Sequence, residues 1–207
     1  MLNHLKFLII AILMVSVTFA MTNTFEIPEK VTTTTDTDFS NNENPPATEA
    51  FNTMMAVLTH KRCVNCHPAG DRPRQGEDSH IHNFNVQRGA DGHGVAAVKC
   101  ESCHQSENNM YSGVPGAPHW HLAPRSMAWE GLSAIEIAES MLDTERNGGR
   151  SVEEIEKHLT EDDLVLWVFE PGVDADGIAR EKPPVDKETY IKAVKEWVAA
   201  GAVIPME

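Results

Sequence analysis

Two five-residue runs hold the most reactive side chains of the chain: Cys63-Val64-Asn65-Cys66-His67 and Cys100-Glu101-Ser102-Cys103-His104. Each sets two thiols three positions apart, with an imidazole directly after the second. That spacing lets both sulfurs form thioethers with the two vinyl groups of one porphyrin, and the next histidine then lies under the iron as its proximal ligand. The runs use all four cysteines of the protein. A four-cysteine zinc site or a pair of disulfides would use them too, but neither accounts for the histidine that closes both runs. The expectation is two covalently attached haem c groups. Cys63, Cys66, Cys100 and Cys103 bind the porphyrins, and His67 and His104 are the proximal iron ligands.

No motif supplies a sixth ligand, so the remaining histidines must be weighed. Beyond the two runs and His4 they are His60, His80, His82, His93, His119, His121 and His158. His60 precedes Cys63 by three residues and could serve only the other haem. His93 sits in Gly89-Ala90-Asp91-Gly92-His93-Gly94, a turn-forming run that shapes backbone. His158 shares one helical face with Ile155 and Leu159 over residues 152–159, while Glu153, Glu154, Glu156 and Lys157 face water. A histidine on an apolar face beside a large cofactor is a fair distal ligand; the alternative is a core histidine bonded to a backbone carbonyl. His82 lies among Ile81, Phe84 and Val86 in the long loop 70–94, where Phe84 and Val86 are expected to anchor the chain, and it is preferred to His80. His82 follows His67 by 15 residues and His119 follows His104 by 15, a faint sign of a repeat. The proline-rich segment 115–124 is expected to lie extended, with Trp120 against the second haem and His119 and His121 on the opposite face. His82 and His158 are the favoured distal iron ligands at this point, with His119 and His121 still open. Met127 is the thioether alternative, which would raise the reduction potential, or else a filler beside the cofactor.

The elements that must position these groups read as helices. Phe51, Met54, Met55 and Leu58 fall at i, i+3, i+4 and i+7, an amphipathic helix leading into the first run. A helix over 95–106 is expected to carry the second. Ser133 with Glu136 forms a capping box for a helix ending at Asn147-Gly148-Gly149, and Ser151 with Glu154 forms another. Asp186 caps a last helix whose Ile191, Val194, Trp197 and Val198 share a face and which stops at Gly201. No convincing strand alternation is present. The expected fold class is mainly α: a compact dihaem cytochrome c domain with long haem-wrapping loops. Aromatic residues are only 6% of the chain, so the porphyrins are expected to form part of the core.

Residues 1–20 combine one lysine, a short apolar stretch and small residues near its end, the pattern of a secretory signal peptide. The stretch is short of the ~20 residues a membrane span needs; an uncleaved segment would instead tether the protein to the membrane. Residues 21–47 are rich in Thr, Asn, Glu and Pro and read as a disordered linker, leaving 48–207 as the dihaem domain. Export suits haem attachment outside the cytoplasm, and periplasmic localisation is expected. The formal charge is −14. Such acidity disfavours nucleic acid and anionic membranes as partners and favours a basic patch on a redox protein, with an on-rate that falls as salt rises.

The first run with Arg62 and Pro68, then Val86-Gln87-Arg88-Gly89, the second run with Gln105 and Asn108, Pro115-Gly116-Ala117-Pro118, Trp120-His121-Leu122-Ala123-Pro124, Asn147-Gly148-Gly149-Arg150, His158 and the closing Trp197 with Gly201-Ala202 together resemble a bacterial family. These are small exported dihaem cytochromes c labelled "isoquinoline 1-oxidoreductase subunit". The resemblance covers nearly all of the domain. It implies association with a molybdenum hydroxylase, whose iron–sulfur subunit would pass electrons to the cytochrome, and it implies that His82 and His158 recur outside the haem runs. Which distal histidine serves which iron stays open at this level. An electron carrier needs no catalytic acid or base, and Arg88 or Arg150 would suffice to pair with haem propionates. Two other functions compete: a peroxidase-like dihaem enzyme and a gas-binding haem sensor, each with one open distal site.

Overall fold

Apolar side chains at helical spacing start the fold. In the computed structural model, which describes residues 45–206, Phe51, Met54, Met55 and Leu58 are all buried on helix α1 (Pro45–Leu58). The short helix α2 (Lys61–Val64) follows and carries Cys63. Four more helices come later in the chain: α3 (Ala134–Leu142), α4 (Val152–Glu161), α5 (Asp163–Leu166) and α6 (Lys187–Ala199). Helix α6 packs on α1 and on α4, and its Tyr190, Val194 and Trp197 are fully enclosed. Among the described residues the class is mainly α, as expected.

Local signals set the helix ends. The Asp186 carboxylate accepts the Thr189 N–H at 2.9 Å and starts α6; the helix stops before Gly201, whose φ of +90° is a conformation that glycine tolerates. The last helix buries Val194 and Trp197 as expected, but Tyr190 and Ala193 complete the buried side, and Ile191 and Val198 are half-buried. Both capping boxes form. The Ser133 and Ser151 hydroxyls accept the Glu136 and Glu154 N–H groups, while the glutamates accept the serine N–H groups at 2.7 and 2.8 Å. Ser151→Ala is expected to cost about 1 kcal/mol, read as a lower thermal midpoint; an unchanged midpoint would show that the box adds nothing to α4.

Several expectations are corrected. The second run is not on a helix. Gly94–Val95 and Val98–Lys99 form a small antiparallel hairpin (β3 and β4), and Cys100–Ser102 is a single 3-10 turn. The β-branched Val95 and Val98 bracket a two-residue turn directly after Gly94, which suits a hairpin better than a helix. A second two-residue pair, Arg74–Gln75 with His80–Ile81 (β1 and β2), lies in the long loop. Helix α3 ends at Leu142, five residues before Asn147, because Asp143 leaves helical geometry and its carboxylate caps the Glu145 N–H at 2.9 Å. Asn147 instead pins the following turns, donating to Met141 O at 2.7 Å and accepting from Arg150 N at 2.8 Å. Phe84 is no anchor. It is 85% exposed with φ +60°, whereas Val86 is buried. Segment 115–124 is not extended throughout, since His119 sits at φ +57°. The expected signal peptide, 1–20, and residues 21–44 of the expected linker lie outside the described residues. Residues 45–47, assigned to that linker, belong to α1. No helix among the described residues is long and apolar enough to cross a membrane.

Candidate functional site

Each cysteine run ends in the same local arrangement. The His67 ring lies face to face on Trp129, with centroids 3.6 Å apart and planes 11° apart, and its Nδ1–H donates to Met127 O at 2.7 Å. The His104 ring lies on Trp120 at 4.5 Å and 3°, and its Nδ1–H donates to Pro115 O at 2.7 Å. A carbonyl on Nδ1 fixes the tautomer and leaves the Nε2 lone pair for a metal. Burial pushes His67 down to about 4 and also lowers His104, so both rings are neutral at pH 7, the form that binds metal.

The chain holds these rings by short backbone ties. His60 caps α2, its Nδ1 accepting the Arg62 N–H at 3.2 Å. His67 O accepts from Trp129 N at 2.9 Å, and Cys66 O accepts from Ala123 N at 3.2 Å. At the second run, Cys100 O accepts from Cys103 N and His104 N at 3.2 and 2.9 Å. The Cys100 thiol points to Gly92 O at 3.8 Å. Gly92 has φ +83°, and a Cβ there would fall 2.6 Å from Leu122 O; only glycine lets the 89–94 turn close on this segment. That is the shaping role expected of the turn around His93.

A largely apolar cavity of about 130 Å³ adjoins the first run. Cys63, Cys66 and His67 line it, and α4 contributes Ile155, His158 and Leu159. The face predicted for α4 is therefore the face that meets this cavity, and His158 shares the cavity with His67. Burial pushes the Cys63 thiol up to about 12 and the Cys66 thiol up to about 11. His158 donates through Nδ1 to Asp162 at 3.1 Å, and this bond is the main reason the Asp162 carboxyl falls to about 2.

His82 belongs to the other run. Its ring centre lies 6.1 Å from that of His104, with planes 67° apart. Two imidazoles bound through nitrogen on opposite sides of one metal, at about 2.0–2.1 Å each, would have ring centres about 6.3 Å apart. The His82 backbone is clamped on both sides, N–H to Pro73 O at 2.9 Å and carbonyl to Arg72 Nη2 at 3.0 Å. Its Nδ1–H turns onto Asn83 O at 2.8 Å, which again leaves Nε2 free. The equal spacing of His82 and His119 from the two runs does not mark a structural repeat, because His82 faces the second run and His119 is exposed.

The other candidates have different roles. His60 has both ring nitrogens engaged, Nε2 lying 3.2 Å from Glu181. His80 is exposed and paired with Asp78 at 2.6 Å. His93 packs against His121 at 4.9 Å, and His121 reaches the first cavity with Nδ1 bonded to His119 O. The Met127 side chain lines that cavity while its carbonyl holds His67. Among the described residues, no three His, Cys, Asp or Glu side chains converge in the manner of a metal-ion site.

Arg88 fits an anionic group. It is 5% exposed, Nη2 donates to Pro68 O and Gly70 O, Nε lies 3.8 Å from Asp71 Oδ1, and Nη1 is buried without a hydrogen-bond partner. Arg150 lines the first cavity, with Nη1 on Asn147 O at 2.7 Å. Trp120 also meets Trp167 edge to face at 5.0 Å, and Trp167 lines the first cavity. The two sites are thus joined through packed indoles. Trp129 and Trp167 were not singled out from the sequence, and no local pattern marks them. Asp162 was missed although its place at i+4 from His158, at the end of α4, was a usable signal. Comparison with protein-family models, curated proteins and solved structures finds no match to the chain.

Proposed function

We propose that this chain is an exported, periplasmic electron-transfer protein that carries two covalently bound haem c groups and has no catalytic activity of its own. The observation that carries the proposal is the His82–His104 pair, two imidazoles with Nδ1 held on backbone carbonyls and ring centres 6.1 Å apart, close to the spacing two ligands of one iron would have. Cys63 and Cys66 would hold the first porphyrin, with His67 and His158 as its axial pair. Cys100 and Cys103 would hold the second, with His104 and His82. When bound, each haem supplies an iron that gains and loses one electron. The residues around it orient the imidazoles, fix their tautomers and, at the first site, surround the group with apolar side chains. Arg88 and Arg150 are suited to propionates. Ile81 and Phe84 flank His82 and are 43% and 85% exposed, apolar surface that a porphyrin at the second run would cover. The acidic surface suits a basic docking patch on a redox partner. The family resemblance extends the proposal to a molybdenum hydroxylase or another dehydrogenase as donor and a respiratory protein as acceptor.

Pyridine haemochrome absorbance on the purified protein tests the cofactor. Two haems per chain are expected, and a colourless, zinc-containing preparation would end the proposal. Carbon monoxide added to the reduced protein tests the function. Two low-spin spectra unchanged by the gas are expected of a carrier, whereas a haem that binds it would favour the peroxidase-like or sensor function.

A further inference from the structure

The four histidines assigned to iron differ in one respect. His67, His104 and His82 each donate Nδ1–H to a neutral backbone carbonyl, those of Met127, Pro115 and Asn83. His158 alone among these four donates to a carboxylate, Asp162 Oδ2 at 3.1 Å. That carboxylate is held in place from its other side: Oδ1 accepts the Leu164 N–H at 2.9 Å, where Asp162 closes α4 and begins α5. One oxygen therefore fixes the backbone turn and the other fixes the ring.

A carboxylate on the far nitrogen of a ligating imidazole makes the ring a stronger donor and adds a negative charge near the metal. Both effects favour the more positive oxidation state. We infer that Asp162 is a positioning residue for the distal ligand His158, and that its charge holds the reduction potential of the first haem below the value a neutral acceptor would leave. This rests on the proposed dihaem function. With haem bound, the charge would bear on the transfer of one electron from a reduced redox protein, with no bond made or broken and no proton moved. The second site carries no such charge on either ligand, so the side chain at 162 acts on one haem of the two.

Spectroelectrochemical titration of the holoprotein, with Asp162→Asn, Asp162→Glu and His158→Ala, tests it. Asparagine caps a helix as well as aspartate does, so Asp162→Asn removes the charge and keeps the turn. One midpoint is expected to rise, corresponding to a tenfold or greater gain in electron affinity, about 59 mV for one electron. The other midpoint stays in place, both haems stay low-spin, and Asp162→Glu returns the first to its starting value. Two unmoved midpoints, or two that shift alike, would overturn the inference. So would a first haem made high-spin by both Asp162→Asn and Asp162→Glu, since shape rather than charge would then be what matters. No haemochrome in the wild-type protein would instead fail the dihaem function, and a low-spin first haem in His158→Ala would fail the ligand assignment. An unmoved midpoint in Asp162→Asn, with His158→Ala opening the iron, fails this inference alone.

Discussion

His158→Ala is expected to convert one of the two proposed haems from inert to carbon-monoxide-binding, taking the reduced protein from zero to one bound gas molecule per chain. The imidazole projects into the first cavity from α4 beside Ile155 and Leu159. Alanine keeps the helix, being its best former, and removes only the ring. The cavity lining around it is largely apolar, with Leu164, Val165 and Trp167 nearby. His82→Ala should do the same to the other haem, since His82 faces His104 and not His67. The two substitutions are expected to be additive, because they act on different irons, and the double variant should bind two gas molecules. If neither variant loses a low-spin band, the axial assignments are wrong; His121 and Met127, which also line the first cavity, would then be the next residues to replace.

Trp197→Ala should be the most damaging change in the helical core. The indole is 0% exposed, on the helix that packs on α1 and α4, and its Nε1 donates to Val203 O at 2.8 Å. Trp→Ala changes of this kind cost about 3–5 kcal/mol in lost burial and residual cavity. A typical domain has only about 5–15 kcal/mol in total. For a domain of this size the thermal midpoint should fall by about 6–20 °C. Trp197→Phe restores most of the packing but not the N–H, and should lose only about 1 kcal/mol, the usual net worth of one hydrogen bond. Thermal unfolding followed by far-ultraviolet circular dichroism reads both variants without relying on the cofactor. A Trp197→Ala protein that melts with the wild type would show that the α1–α6 contact does not limit stability.

Where local chemistry was decisive, sequence and structure agree. Phe51, Met54, Met55 and Leu58 form the buried side of α1 because their spacing leaves a helix no other way to bury them. Ser133 and Ser151 cap their helices because each has a glutamate three residues on. Residues 95–106 went the other way, since apolar valines flanking two alanines fit either a helix or a hairpin, and Gly94 at φ +90° tipped them to a hairpin. Phe84 differs for a related reason: its ring lies on the protein surface beside His82, and loop spacing alone does not say what covers an apolar residue.

The sequence by itself determined the chemistry of the two sites: two thiols and an imidazole in each run, within one continuous stretch of chain. It also marked His158 as facing inward, because helical periodicity is a local property. Only the tertiary structure shows which histidines lie near one another: His158 lines the same cavity as His67, and the His82 and His104 ring centres lie 6.1 Å apart. The indole plates, the carbonyls of Met127 and Pro115, and the buried guanidinium of Arg88 likewise come from the folded chain. The reason is physical. Partners such as His67 and Met127 lie 60 residues apart, and packing free energy, which no local spacing encodes, is what brings them together.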